Sequence, residues 1–474
     1  MAAQEQVFDV VVLGAGSTGE NVADVVVKGG LTAALVEAEL VGGECSYWAC
    51  MPSKALLRGT EALAAARAVD GARQAVTGEQ DVAATLARRD SFTHSWDDSS
   101  QVRWVDGAGI TLVRGTGRLD GERTVVVTDG DGRRTRLTAR HAVAVCTGSE
   151  AAVPPVDGLA DVAPWTPREA TSAKEAPGRL LVVGGGYVGC EMATAWQALG
   201  ARVTLLQRAE RLLDDLEPEA GDAVAAALRE RGVDVRLGTD VVSARREGGE
   251  VVLACTDGEV RGDEVLVAVG RRARTADAGL DTVGLAPGEY LDVDDSLQVR
   301  DVPWLYGVGD VNGRRQLTHM GKYQARQAGA AIVARVRGEQ VSTADWSPTA
   351  ATADRRATPS VVFTDPQVAS VGMTRAQAAE AGVPHRVVEY PLGSVAGASL
   401  HGDGYTGTAV AVVDPEREVL LGVTFVGPGV AELLHAATIA VAAEVPITRL
   451  WHAVPAYPTM SEIWLRLLET WRDS

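Results

Sequence analysis

At 474 residues the chain exceeds the roughly 250–300 at which a single core stops growing, so two or three domains are expected. Apolar residues make up 46% with no low-complexity or single-charge run, which argues against disorder, and a formal net charge of −18 repels phosphate backbones and argues against a nucleic-acid partner. The opening MAAQEQVFDV lacks the basic, apolar and small-residue pattern of a secretory leader, and no apolar run approaches the ~20 residues of a membrane span, so a cytoplasmic protein with no membrane partner is expected.

The first element read from the N-terminus is FDVVVLGAGSTGENVADVVVKGGLTAALVEAE, a buried-strand run followed by Gly14, Gly16 and Gly19 at GxGxxG spacing, a helical stretch and a second strand ending at Glu37. Glycines at that spacing let the backbone turn tightly and approach a pyrophosphate at a helix N-terminus, and an acid about 20 residues on can bind a ribose hydroxyl. Next comes VGGECSYWACMPSKALLR, with Cys45 and Cys50 separated by four residues. That spacing does not fit a CxxC zinc site, no second ligand pair follows, and no metal is expected. Redox chemistry is the better reading, with Pro52 and the apolar stretch after it placing Cys50 near a helix N-terminus, where a thiol is acidified. Glu44 opposes this if it lies close and ionised. Tyr47 and Trp48 flank the pair, as packing or as the wall of a pocket.

An offset of 170 residues recovers the fingerprint in RLLVVGGGYVGCEMATAWQALGARVTLLQRAERLL, where Gly184, Gly186 and Gly189 match Gly14, Gly16 and Gly19. Two such units imply two dinucleotides. Glu37 is matched by Gln207, followed by Arg208, and the exchange removes repulsion against a ribose 2′-phosphate while adding a cation that can pair with it. The second unit therefore favours NADPH over NADH.

With the cysteine motif between two fingerprints, the chain resembles the class I pyridine nucleotide-disulfide oxidoreductases, the family of dihydrolipoamide dehydrogenase, glutathione reductase and mercuric reductase. VAVCTGS, VAVGRRART, LYGVGDVN and the late SVVFTDPQVASVGMT extend the resemblance over almost the whole chain. It implies an α/β protein with two Rossmann-like domains, for FAD and NAD(P)H, and a C-terminal α+β dimerisation domain. Residues 1–150 and 275–345 would form the FAD domain, 151–274 the NAD(P)H domain and 346–474 the interface domain of a homodimer. The resemblance further implies that Cys50 stacks on the flavin, that Cys45 exchanges with substrate, and that Lys54 and Glu191 pair near the flavin's reactive edge. Gly43, Thr147, Gly148, Gly270, Gly309 and Asp310 join the cofactor-binding set.

One position breaks the pattern. In HAVPAYPTMSE, Pro458, Thr459 and Glu462 match the family's C-terminal motif, but Tyr457 stands where a partner subunit's catalytic His is expected. A phenol of pKa ~10 is a poor base at neutral pH, and His452 is out of register. No cysteine follows Cys255, which argues against the C-terminal thiol pairs of mercuric reductases and large thioredoxin reductases. The expected activity is electron transfer from NADPH through FAD and the Cys45–Cys50 disulfide to a small disulfide or other thiol-reactive acceptor. Two alternatives stand beside it: a diaphorase or quinone reductase passing electrons directly from flavin, and a non-enzymatic FAD/NADP-binding redox sensor or complex subunit.

Overall fold

Val10 to Leu13 form an uninterrupted buried run, the pattern of a strand covered on both faces, and they lie at the centre of a parallel sheet. The computed structural model describes residues 4–474, folded as two compact units. The first combines the segment ending at Pro52 with Asp90–Ala151 and Arg271–Asp354. Its sheet runs Thr111–Arg114, Ala33–Glu37, Gln4–Leu13 and Arg134–Val145 in parallel, with Leu305–Gly307 also parallel to the last and an antiparallel hairpin extending the edge. Helices Ser17–Lys28 and Thr318–Val336 pack so closely that a Cβ on Gly321 would lie 2.3 Å from the Thr18 hydroxyl and one on Gly329 2.5 Å from Val25.

The second unit comprises Ser53–Arg89, Ala152–Gly270 and Arg355–Ser474. It holds a parallel sheet in the order Asp234–Arg236, Arg202–Leu206, Arg179–Val183, Glu264–Val267, a three-stranded antiparallel sheet, and a five-stranded antiparallel sheet flanked by C-terminal helices. The expected α/β class with two Rossmann-like units and an α+β C-terminal part is what is observed. Leu56, Leu57 and Leu86 pack in one cluster with Trp196 and Leu199, which explains why residues 53–89 join this unit although they follow directly on the cysteine loop.

The internal repeat is exact in register. Leu13 lies opposite Val36, and 170 residues later Val183 lies opposite Leu206. Gly14 and Gly184 both take a left-handed φ, +95° and +109°, and a Cβ on Gly19 or Gly189 would fall 1.8 or 1.9 Å from the carbonyl oxygen of Gly14 or Gly184. Only glycine permits that approach. Among the described residues no helix is long and apolar enough to cross a membrane, and no group of three or more His, Cys, Asp or Glu residues is arranged to hold a metal ion.

Candidate functional site

In the first unit the fingerprint turn leads into the helix Ser17–Lys28, and the Ala15 amide donates to Glu37 Oε2 at 2.7 Å. The Glu39 amide donates to Glu37 Oε1 at the same distance, so the carboxylate is fixed at the end of its strand. Burial pushes the Glu37 carboxyl up, against these two hydrogen bonds and Arg114. Open space lies over Gly16 and Gly148, where a Cβ would meet nothing within 4 Å, and the buried Thr147 hydroxyl oxygen has no hydrogen-bond partner; Gly270, equally open, belongs to the second unit. Bare backbone beside a helix start, a fixed carboxylate and an unmatched hydroxyl suit a dinucleotide. On Gly43 a Cβ would come within 2.8 Å of Gly16 Cα, so this glycine closes the turn rather than lining free space.

Cys45 lies in the short helix Gly43–Tyr47, and Cys50 is the first residue of Cys50–Arg67, as its approach to Pro52 led us to expect. The two are not joined to each other here, and Cys50 Sγ lies 3.2 Å from the Thr318 hydroxyl. The neighbouring Cys50 thiol and then burial push the Cys45 thiol far above its ordinary value, while Thr318 and Lys322 oppose the rise. A dithiol that shares one proton releases its first charge to one sulfur and keeps the other protonated. Burial also raises the thiols of Cys146 and Cys190, which leaves them inert. Tyr47 is wholly buried, so of the two readings for that ring packing is the one realised.

Glu44 is engaged elsewhere than at the thiols. Its carboxylate receives Arg271 at 2.5 Å and Arg274 at 3.3 Å. Arg271 also donates to the Ser149 hydroxyl at 2.6 Å, and that hydroxyl donates to Asp310 Oδ2 at 2.6 Å. Burial raises the Asp310 carboxyl, Ser149 and Arg271 hold it down, and Glu44 adds to the rise. The cysteine loop and the Gly309–Asp310 turn are thus joined by one chain of charge-assisted hydrogen bonds. Behind that turn the buried Gln324 accepts from the Gly309 amide and from Asn312 Nδ2, each at 2.8 Å, and donates to Asp354 at 3.0 Å. None of Arg271, Arg274, Thr318 and Gln324 was anticipated as a functional group.

The second unit carries the matching cradle. Gly184 turns left-handed, Gly186 faces open space, and the helix Tyr187–Ala198 follows. The Gly185 amide donates to Gln207 Oε1 at 3.0 Å, the contact that Ala15 makes with Glu37, while Arg208 is exposed and forms no ion pair among the described residues. On the same helix Glu191, only 5% exposed, meets Lys54 Nζ at 2.7 Å and accepts the Phe363 amide at 3.0 Å. The Lys54 ammonium also stands 4.9 Å above the Phe363 ring. A carboxylate so enclosed holds the lysine in one position.

Tyr457 and Glu462, also in this unit, are not joined. Tyr457 is 77% exposed, whereas Glu462 Oε1 accepts the amides of Thr459 and Gly397, both at 3.2 Å, capping its own helical turn. Within one chain Glu462 therefore orients backbone.

Glu20, in the first turn of Ser17–Lys28, is a further group missed by motif reading. Burial, with a contribution from Glu37 and against Lys322, raises its carboxyl to about 7, and its Oε1 is buried without a hydrogen-bond partner. A folded-state value above the unfolded one means that stability is fully present below about 4.5 and is lost as pH rises to about 7. At about 1.4 kcal/mol per unit the loss is about 3 kcal/mol. Glu20→Gln is expected to raise the thermal midpoint of flavin-free protein at pH 8 and to leave it unchanged at pH 4; equal shifts at both pH values would show that the acid's charge is not the cause.

Comparison with known proteins places these features. The family described as pyridine nucleotide-disulphide oxidoreductase matches residues 8–328, and its dimerisation domain matches residues 358–467. The chain is 32% identical over 464 residues to dihydrolipoyl dehydrogenase 3 of Pseudomonas aeruginosa, covering 96% of each. It is also 32% identical to a mercuric reductase of Acidithiobacillus ferrooxidans, over 96% of this chain and 81% of that one. Among solved structures, the Cu(II) complex of the HOCl-induced flavoprotein disulfide reductase RclA of Escherichia coli shares the fold, with a TM-score of 0.83 and 24% identity over 98% of this chain and 99% of that one.

Proposed function

The chain belongs to the pyridine nucleotide-disulphide oxidoreductase family, whose cofactors are FAD and NAD(P)H, and from that premise we propose that it reduces a small disulfide or other thiol-reactive acceptor with NADPH through Cys45 and Cys50. The observation that carries the reading is an intact dinucleotide cradle in the same unit as Cys45 and Cys50, with Thr318 against Cys50. In the first unit Gly14, Gly16, Gly19, Glu37, Thr147, Gly148, Gly309 and Asp310 would hold FAD; in the second Gly184, Gly186, Gly189, Gln207 and Arg208 would hold NADPH. Bound there, FAD would supply two-electron redox chemistry of the kind that links a reduced nicotinamide to a disulfide.

The residues carry the rest. Cys45, as thiolate, attacks one sulfur of the acceptor, whose S–S bond breaks to release a first thiolate and leave a mixed disulfide. Cys50 then attacks the Cys45 sulfur, displaces the second thiolate and restores the internal disulfide. Two electrons have passed to the acceptor, and two protons come from solvent. Thr318 hydrogen-bonds Cys50, and Lys54, fixed by Glu191, provides a cation for charge that develops on reduction. The dimerisation domain supports a homodimer, in which Tyr457 would reach the partner's acceptor as a hydrogen-bond donor rather than a base. A cytoplasmic setting, where thiols are kept reduced, fits this chemistry.

Anaerobic titration of the yellow protein with NADPH tests the reading. A long-wavelength thiolate-to-flavin charge-transfer band is expected before the flavin bleaches. Bleaching without the band would overturn the disulfide route and favour the second reading, direct transfer to a quinone-like acceptor, which the exposed Tyr457 in place of an imidazole recommends.

A further inference from the structure

A carboxylate offered to a cofactor must not be claimed first by a neighbouring cation, and at Asp310 such a cation is within reach. Asp310 Oδ2 accepts the Ser149 hydroxyl at 2.6 Å, whereas no hydrogen bond reaches Oδ1 among the described residues. Arg271 Nε lies 3.9 Å from that same Oδ2, with the Ser149 hydroxyl between them accepting from Arg271 at 2.6 Å. A shift of about 1 Å would bring the guanidinium into a direct charge-assisted hydrogen bond with Asp310. It is held back from the other side, where Nη2 donates to Glu44 Oε2 at 2.5 Å and to the Ser149 carbonyl at 2.8 Å. The strand Arg271–Ala273 pairs antiparallel with Ser149–Ala151, and the Arg271 carbonyl accepts the Tyr290 hydroxyl at 2.9 Å, so the backbone is fixed and only the side chain has a choice. Glu44 and Asp310, both in the first unit, are the two carboxylates within 4 Å of Arg271 among the described residues, with side chains 21% and 27% exposed. Arg274, the second cation on Glu44 at 3.3 Å, has Glu150 at 3.9 Å as its alternative.

We propose that Glu44 is a positioning residue of the flavin site, which draws Arg271 aside and so leaves Asp310 free for the cofactor. This rests on the assignment of Asp310 to FAD above. The acid that stands next to Cys45 in the sequence thereby serves the cofactor turn, acting through Arg271 without touching the flavin itself. With Glu44 neutralised, Asp310 is the nearest carboxylate left to the guanidinium, and the oxygen that now takes only the Ser149 proton becomes half of an ion pair.

The test is a binding titration that needs neither coenzyme nor acceptor. The full chain is stripped of flavin and titrated with FAD, whose fluorescence reports binding. Glu44→Gln, which keeps size and loses charge, is expected to weaken FAD binding by about tenfold, the scale of one charge-assisted hydrogen bond, and Glu44→Asp, which keeps the charge, to fall short of that loss. The deciding variant adds Arg271→Gln to Glu44→Gln. Removing the guanidinium frees Asp310 again, so the double variant should bind FAD more tightly than Glu44→Gln alone. If Glu44 did no more than anchor the cysteine loop, the second substitution would loosen that anchor further and the double variant would bind no better. That result, or wild-type affinity in Glu44→Gln, overturns the proposal. Asp310→Asn separates it from the reading on which it rests. Weaker FAD binding in Asp310→Asn but not in Glu44→Gln removes the role of Glu44 and keeps Asp310 in the flavin site, whereas unchanged affinity in Asp310→Asn removes Asp310 from that site and the proposal with it.

Discussion

Cys45→Ser is expected to bind FAD normally and to lose NADPH-driven disulfide reduction by more than about 10³-fold, the scale on which removal of a nucleophile acts. The variant should also show a charge-transfer band while its flavin is still oxidised. In the wild-type dithiol the neighbouring Cys50 thiol disfavours ionisation of Cys45, and in the oxidised enzyme the two sulfurs would be bonded to each other. Without Cys45, Cys50 keeps its place at the first turn of its helix with the Thr318 hydroxyl 3.2 Å away, and both features favour its thiolate. The same variant separates the two enzymatic readings. If disulfide turnover collapses while quinone reduction persists, electrons leave for disulfides through the pair and for quinones directly from the flavin. Unchanged disulfide turnover would remove Cys45 from the mechanism.

What could be read before folding was what lies close together in the sequence or repeats. The two fingerprints announced themselves because the chemistry of a pyrophosphate cradle needs glycine at particular turns, and the register pairs Leu13–Val36 and Val183–Leu206 keep the same offset. The Lys54–Glu191 pair bridges 137 residues and was legible only through resemblance, since no local pattern joins a lysine on one helix to an acid on another. Glu44 shows the limit more sharply. Read beside Cys45 it is an acid that should hinder a thiolate; folded, it is bound by Arg271 and Arg274, 227 and 230 residues away. Its charge is spent on joining the cysteine loop to Ser149 and Asp310, and only tertiary structure brings these groups together. Thr318 was silent for a related reason: nothing in the local sequence says that a residue 268 positions on meets Cys50.

The coenzyme preference is where one changed atom set should have a large effect. Glu37 and Gln207 occupy equivalent positions and make the same backbone contact, with the Ala15 and Gly185 amides at 2.7 and 3.0 Å, so the turn is held equally well by carboxylate or amide. What differs is charge. Gln207 Nε2 donates to the Arg211 carbonyl at 3.2 Å, an orientation a carboxylate cannot keep, and Arg208 next to it is exposed and without an ion pair among the described residues. A charge-assisted hydrogen bond to a phosphate is worth about 1.5–3 kcal/mol, or roughly 10- to 150-fold. Arg208→Ala is therefore expected to lower kcat/KM for NADPH by about that factor and to leave NADH within about twofold. Adding Gln207→Glu restores the ribose-binding carboxylate and repels the 2′-phosphate, so the double variant should prefer NADH. Equal losses with both coenzymes in Arg208→Ala would mean that the guanidinium does not meet the 2′-phosphate, and that the preference, if any, is set elsewhere on the second unit.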